Sequence, residues 1–277
     1  MKKEMMGLLT TGLLLTGCTS ASTAAASATA DASADASAAA TVAASALGYD
    51  KIVVGLDDTF APMGFRDDSG NLTGFDVELA QAAGKALGIE VAFQPIDWAR
   101  KETALNQGNI DCIWNGYSIT EDRKQQVLFS DSYLENRQII VVLADSAVAS
   151  KADLAGRTVA VQKESSALEA VTAVAEFTAA LKGGAPVEYD TNNDCFTDLE
   201  QGRADAIVVD EVLARYVMKQ KGEEKYKVLD DNFGTEQYAV GFRKSDTALC
   251  EAINGVLKQF QNDGTYSSIY AKWFSEN

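Results

Sequence analysis

The chain has 277 residues, of which 47% are hydrophobic and 23% charged, a balance typical of a soluble globular protein with one or two domains. Its net charge of −16 argues against a nucleic-acid-binding protein, which needs a basic surface, and against electrostatic attraction to acidic lipid headgroups. The chain has no histidine, which excludes Ser-His-Asp and Cys-His nucleophilic centres and argues against a zinc enzyme.

The first 18 residues have the pattern of a bacterial leader peptide. Lys2 and Lys3 precede an apolar run over residues 5–15, which is too short to span a bilayer and has the length of a signal-peptide core. The sequence LTGC at residues 15–18 resembles the lipobox of bacterial lipoproteins. This resemblance implies cleavage before Cys18 and lipidation of the Cys18 thiol, with a plain secretory leader as the alternative.

A low-complexity segment follows the leader. All residues over 19–46 except Val42 are Ala, Ser, Thr or Asp. The segment has no apolar stripe, and Ser, Thr and Asp lower its helix propensity. We therefore predict a flexible tether over residues 19–47, which lets an anchored domain move over the membrane surface.

The rest of the chain alternates strand-like and helix-like segments. We predict strands over 51–56, 91–96, 110–114, 139–143, 158–161, 186–189, 206–209 and 238–242, and helices over 76–87, 98–106, 166–181, 195–201, 212–221 and 246–262. Asp76 is expected to cap the first helix and Gly88 to end it. Strands separated by helices predict an α/β fold with parallel sheets, which bind ligands at the carboxyl ends of their strands.

Three cysteines lie in this part of the chain. Cys112, Cys195 and Cys250 do not have the spacing of a metal site, and no glycine-rich phosphate loop follows a strand. We predict three free thiols, with a Cys195–Cys250 disulfide as the alternative, and no metal or cofactor.

Six segments carry a family resemblance. They are VGLDDTFAPMGF (54–65), GFDVELA (74–80), IDCIWNGYSITEDRKQQVLFSDSYL (110–134), LAGRTVAVQKESS (154–166), GRADAIVVDEV (202–212) and NDGTYSSIYAKWF (262–274). Their order and spacing resemble the amino-acid-binding proteins of ABC importers, particularly the polar and basic amino-acid group. The resemblance implies a type II periplasmic-binding-protein fold, in which two crossover strands join two α/β lobes around the ligand. Lobe 1 would comprise residues 48–138 and 239–277, and lobe 2 residues 139–238.

The resemblance implies a lobe 1 site for the charged groups of an α-amino acid. Arg123 would bind the α-carboxylate, which its forked guanidinium matches bidentately. Ser118 would add a hydroxyl and a backbone N–H, and Gly116 would offer its carbonyl to the α-ammonium. Asn115 belongs to the same segment, and Thr120 is expected to cap a short helix containing Arg123. Without the resemblance, Arg123 would be a solvated helix charge.

Lobe 2 is expected to complete this site. Ser165 and Ser166 precede a helix whose free N–H groups favour a carboxylate, and Ser166 with Glu169 has the capping-box pattern. The resemblance implies that this turn closes over the α-carboxylate and that Asp210 pairs with the α-ammonium. Asp210 also fits a helix N-cap. Glu164 stands where the family usually has Gly, and we expect its side chain to point to solvent.

The ligand side chain is expected to lie between aromatic rings. By the resemblance, Phe60 and Trp98 stack around it, and Asp57 meets a distal cation, although glutamine binders also have an Asp here. Trp114 and Tyr117 are expected in the core.

The sequence therefore predicts a monomeric, lipid-anchored receptor on the extracytoplasmic face of the bacterial cell membrane. It would bind a polar L-amino acid, with arginine or lysine ahead of glutamine or histidine, and deliver it to ABC permease subunits. One alternative is a cyclohexadienyl dehydratase-like enzyme on the same fold, with Glu164 as its candidate acid, although the expected ammonium partner Asp210 argues against it. The other is a sensory receptor for amino acids that signals without transport.

Overall fold

The structure is a computed structural model that describes residues 47–274. The predicted leader with Cys18, and the predicted tether up to residue 46, lie outside these residues. Within the described part, none of the helices is both long enough and apolar enough to cross a membrane.

The described residues form short strands and helices in alternation. The strands are β1 (Lys51–Leu56), β2 (Thr59–Phe60), β3 (Gly64–Arg66), β4 (Leu72–Thr73), β5 (Glu90–Pro95), β6 (Cys112–Ile113), β7 (Leu128–Phe129), β8 (Leu134–Leu143), β9 (Val159–Gln162), β10 (Val187–Tyr189), β11 (Ala206–Asp210), β12 (Tyr226–Tyr238) and β13 (Gly241–Phe242). The helices are α1 (Phe75–Leu87), α2 (Lys101–Asn106), α3 (Glu121–Gln126), α4 (Ser166–Thr172), α5 (Ala175–Ala180), α6 (Asn192–Glu200), α7 (Glu211–Lys221), α8 (Thr247–Asp263) and α9 (Thr265–Phe274).

Two five-stranded sheets organise these elements. The first has the order β5-β1-β6-β13-β7 and the second β10-β9-β11-β8-β12, while β2, β3 and β4 form a small separate sheet. We call the part built on the first sheet lobe 1 and the part built on the second lobe 2. The α/β class and the two-lobed fold are confirmed. The sheets contain the predicted parallel pairs but are mixed, because β13 in lobe 1 and β8 in lobe 2 pair antiparallel with their neighbours.

Two long strands join the lobes. β8 and β12 pair antiparallel from Leu134 opposite Tyr238 to Leu143 opposite Tyr226. The same β8 pairs with β11 inside lobe 2, and Tyr238 forms a bridge with Ser118 of lobe 1. Side chains on these strands therefore lie at the junction of the lobes.

The buried core contains the three predicted free thiols. Cys112, Cys195 and Cys250 are buried and unpaired, which confirms the prediction of free thiols. Burial raises the pKa of each thiol above its ordinary value. Trp114 and Tyr117 are fully buried, as expected of core residues.

Helix α1 does not have the predicted cap. Gly74 occupies the N-cap position with a φ of 140°, and a Cβ there would lie 2.2 Å from the Met63 carbonyl oxygen. Asp76 instead lies in the first turn, buried, where its carboxylate accepts hydrogen bonds from the Gly116 N–H at 2.7 Å and the Tyr133 hydroxyl at 2.9 Å. An Asp side chain often caps the start of a helix, but the Asp76 carboxylate instead links α1 to the loop that contains Gly116.

Candidate functional site

A small cavity of about 10 Å³ lies between the two lobes. This space holds about one water molecule, so the lobes must separate to admit an amino acid. Its lining consists of Phe60, Trp98, Gly116 and Arg123 from lobe 1, and Gln162, Ser165, Ser166 and Asp210 from lobe 2.

The structure brings the predicted site residues together in two layers. Seven of them line the cavity: Phe60, Trp98, Gly116, Arg123, Ser165, Ser166 and Asp210. The other three, Asp57, Asn115 and Ser118, lie one layer behind. Asp57 bonds to Gln162, Ser118 bonds to Ser166, and Asn115 accepts from the Asp57 N–H.

Arg123 lies on α3 with its guanidinium buried at the cavity. The Thr120 hydroxyl caps the helix by accepting from the Arg123 N–H at 3.2 Å, as predicted. The guanidinium donates to the carbonyls of Ser118 and Glu164 at 2.9 and 3.2 Å, and it lies 4.7 Å from the centre of the Tyr117 ring. Within the described residues it forms no ion pair. Because a buried charge without a counterion is costly, this position favours a ligand carboxylate.

Asp210 is the corresponding anion from lobe 2. It ends β11 and its side chain is 5% exposed. Its Oδ1 accepts from Asn136 at 2.7 Å, Gln138 at 3.0 Å and Tyr238 at 2.6 Å. These donors are neutral, and no Lys or Arg in residues 47–274 pairs with it. Burial, reinforced by the Glu236 carboxylate, raises the Asp210 pKa well above its ordinary value. Asp210 occupies the N-cap position of α7 but makes no capping hydrogen bond.

The site therefore combines one cation and one anion from different lobes. Arg123 and Asp210 line the same cavity, and neither has an opposite charge from the described protein. A zwitterion with a carboxylate and an ammonium matches this arrangement, since it supplies both missing counterions at once.

The turn before α4 lies beside Arg123 and Asp210 at the cavity. Ser165 caps the helix, because its Oγ accepts from the Leu168 N–H at 3.1 Å. The predicted capping box of Ser166 with Glu169 was wrong. The Ser166 hydroxyl instead lies 3.0 Å from the Ser118 hydroxyl and accepts from Gln138 at 3.1 Å. Glu164 has a φ of 51° and an exposed side chain, which agrees with the expectation that it points to solvent.

Another part of the cavity is lined by an amide, with a carboxylate behind it. Gln162 Nε2 donates to Asp57 Oδ2 at 2.9 Å, a contact between the lobes. Gln162 Oε1 accepts from Asn192 at 2.9 Å, so the amide is held in one orientation. Burial raises the Asp57 pKa, although hydrogen bonds from Thr59 oppose this shift. A polar side chain would meet Gln162 first and the Asp57 carboxylate behind it.

Sequence reasoning missed three residues at this site. Lys101 is buried and donates to the Glu164 carbonyl of lobe 2 at 2.9 Å. Gln162 lines the cavity, and Glu236 on β12 accepts from Ser118 and Gln138. Only Gln162 carried a usable signal, since it directly follows the predicted strand over 158–161, and parallel sheets bind ligands at the carboxyl ends of their strands.

Comparison with known proteins places the chain among solute-binding proteins. The family described as bacterial extracellular solute-binding proteins, family 3, matches residues 52–276. The L-cystine-binding protein TcyJ of Escherichia coli strain K12 is 32% identical over 80% of this chain and 82% of its own length. The arginine-binding extracellular protein ArtP of Bacillus subtilis strain 168 is 30% identical over 83% of this chain and 89% of its own length.

Solved structures share the fold. A crystal structure of an ABC uptake transporter substrate-binding protein from Streptococcus pneumoniae with bound histidine has a TM-score of 0.81 and 38% identity, and covers 83% of this chain and 94% of its own. An ancestral amino-acid-binding protein described as a precursor of cyclohexadienyl dehydratase has a TM-score of 0.74 and 35% identity, over 84% of this chain and 100% of its own.

Proposed function

Because the chain belongs to the bacterial extracellular solute-binding proteins, family 3, we propose that it captures a polar L-α-amino acid between its lobes and delivers it to the permease subunits of an ABC importer. One observation carries this proposal: Arg123 and Asp210 face one cavity from different lobes, each buried without a counterion in the described chain. A single amino acid would pair with both. It would thereby stabilise the closed arrangement of the lobes, which a permease can recognise.

A thermal-shift screen of the twenty L-amino acids tests this function. The protein is first unfolded and refolded to remove any ligand that copurifies with it. At a hundredfold excess over the dissociation constant, a ligand adds about 2.7 kcal/mol to the free energy of unfolding. We expect a few large shifts and many blanks. No shift with any amino acid would contradict the proposal.

For the side chain of the ligand, we propose a cationic group, with arginine or lysine ahead of glutamine or histidine. The support is the Asp57 carboxylate behind Gln162, together with the Phe60 and Trp98 rings that line the cavity. Cation–π attraction to such rings adds roughly 0.5–2 kcal/mol. In a competition series, Asp57→Asn should weaken the binding of arginine and lysine much more than the binding of glutamine. An equal loss for all ligands would assign Asp57 a supporting role only.

The enzyme alternative lacks support at the cavity. Its candidate acid, Glu164, has an exposed side chain, and only its carbonyl faces inward. Turnover of prephenate by the purified protein would nevertheless favour the enzyme. For the sensory alternative, permease and ATPase genes beside the coding gene would favour transport.

We also propose that Cys18 anchors the protein by its lipidated thiol, on the strength of the LTGC sequence. Mass spectrometry of the mature protein should find Cys18 at the amino terminus with a lipid mass. A Cys18→Ala variant should carry none. A mature wild-type protein that starts elsewhere without lipid would contradict the anchor.

A further inference from the structure

A second carboxylate lies beside Asp210, on the crossover strand β12. Glu236 Oε1 accepts from Asn136 Nδ2 at 2.6 Å and from Gln138 Nε2 at 2.8 Å. The same two amide nitrogens donate to Asp210 Oδ1 at 2.7 and 3.0 Å. The two acids therefore share their donors, which places the two carboxylates side by side.

The surroundings of this pair are neutral. The Tyr238 hydroxyl donates to Asp210, and the Ser118 hydroxyl donates to Glu236 at 2.9 Å. Burial and the neighbouring acids raise the Tyr238 pKa, so this phenol stays protonated. Among the described residues no Lys or Arg pairs with either acid. Two like charges at this separation are unfavourable in a buried site, and one retained proton relieves the repulsion.

The other charged groups near the pair are engaged elsewhere. Arg123 donates to the Ser118 and Glu164 carbonyls from across the cavity. Glu211, the residue after Asp210, forms ion pairs with Arg137 and Arg215 on the outer side.

Glu236 also connects the buried site with solvent. Its side chain is half-buried, whereas Asp210 is buried. It lines an outer groove together with Lys124, Glu135 and Gln237, separate from the cavity that Asp210 lines. A proton held by the pair thus has an exit that a bound ligand would not block.

We propose that Glu236 is a positioning residue that makes amino-acid capture proton-coupled: its carboxylate keeps a proton on the neighbouring Asp210 in the empty site, and the arriving α-ammonium displaces that proton to solvent. This inference rests on the proposed function. The step is balanced, because the ligand keeps its three ammonium protons, the carboxyl pair loses one proton to water, and no bond between heavy atoms changes. Affinity must then fall as the pH falls, by at most about tenfold per pH unit for one displaced proton.

Calorimetry of the wild-type protein tests the coupling without any substitution. L-arginine and L-glutamine are titrated separately at pH 6 and pH 7, each in two buffers with different ionisation enthalpies. The difference in observed binding enthalpy between the two buffers, divided by the difference in their ionisation enthalpies, gives the number of protons released. For both ligands we expect the release of up to one proton per ligand bound. Glutamine is the decisive probe, because an arginine cation could also displace a proton from Asp57. Binding of glutamine without proton release would overturn the inference.

Glu236→Gln assigns the effect to this residue. It keeps the size of the side chain but removes one carboxylate, so the pH range over which affinity falls should move to lower pH, and proton release at pH 6–7 should drop to less than half. Glu188→Gln, an exposed position on β10 with the same change of charge, should behave like the wild type. Identical pH profiles for Glu236→Gln and the wild type would overturn the inference. Failure of both amino acids to bind the wild type would contradict the proposed function itself.

Discussion

Asp76 shows how a single buried residue supports the cleft. Its carboxylate accepts a hydrogen bond from the Gly116 N–H and so fixes the loop that brings Gly116 to the cavity. Gly116 has a φ of 57°, and a Cβ there would lie 2.8 Å from the Phe60 ring, so glycine is required. The other oxygen of Asp76 has no hydrogen-bond partner, and burial raises the Asp76 pKa to about 7.

The raised pKa of Asp76 predicts a specific pH dependence. In the unfolded chain the carboxyl ionises near pH 4, but in the folded protein only near 7. The free energy of unfolding should therefore decrease as the pH rises through this range, by up to about 4 kcal/mol. Asp76→Asn should remove this pH-dependent loss. Compared with the wild type, the variant should gain stability on going from pH 4 to pH 8. Urea unfolding at both pH values measures it, with exposed Asp68→Asn as the control. An unchanged pH dependence would contradict a buried, neutral Asp76.

Arg123 permits a test of bidentate recognition. Arg123→Ala should weaken amino-acid binding by about 2–5 kcal/mol, since a buried ligand carboxylate would lose its partner. Arg123→Lys should also weaken it, because a point charge does not reproduce the guanidinium fork. Arg100→Ala, at an exposed position of the same lobe, should leave the affinity unchanged. Calorimetric affinities equal to the wild type in both Arg123 variants would exclude Arg123 as the carboxylate anchor.

At the scale of elements, the turn between β9 and α4 carries backbone strain. Glu164 adopts a left-handed φ of 51°, which costs a residue with a Cβ about 1–2 kcal/mol. Glu164→Gly should therefore raise the free energy of unfolding by about 0.5–1 kcal/mol, after the entropy cost of glycine in the unfolded chain is deducted. Glu164→Ala removes the same charge but keeps the Cβ, and it should not be stabilising. Equal effects of the two variants would point to the charge instead.

The sequence predicted elements with regular apolar patterns and missed those set by tertiary contacts. β1, α7 and α8 were expected within one or two residues of their observed bounds. The predicted helix over 166–181 is divided into α4 and α5 in the structure. β12 was not predicted, because its polar run over 230–237 is stabilised by pairing with β8.

The same distinction holds for the candidate site. Arg123 and Asp210 followed from motifs in continuous segments. Lys101 and Glu236 did not, because each acquires its role only when distant segments meet. In sequence, both have the appearance of surface charges.

At the scale of the whole molecule, direct contacts hold the lobes together around the cavity. Gln162 bonds to Asp57, and Ser166 contacts Ser118. Lys101 and Arg123 of lobe 1 both donate to the Glu164 carbonyl of lobe 2, at 2.9 and 3.2 Å. The described structure is thus a closed form, in which the two cations converge on one backbone acceptor.

Lys101 provides the most direct test of how closure contributes to affinity, because it does not line the cavity but reaches lobe 2. Burial lowers its pKa to about 8, so at pH 7 the ammonium remains mostly charged. Lys101→Met keeps the apolar stem and removes the contact between the lobes. Ligand affinity should fall by about tenfold. This is the expected effect of losing one charged hydrogen bond, reduced by the desolvation cost that the buried ammonium no longer imposes. The variant should also lower the free energy of unfolding of the unliganded protein, because Glu102 loses its ion pair with Lys101 at 3.3 Å, so affinity is measured where the variant is fully folded. Lys124→Met removes an exposed charge from the same lobe and should not change the affinity. If calorimetry gives the two variants equal dissociation constants, the Lys101 contact does not stabilise the closed form.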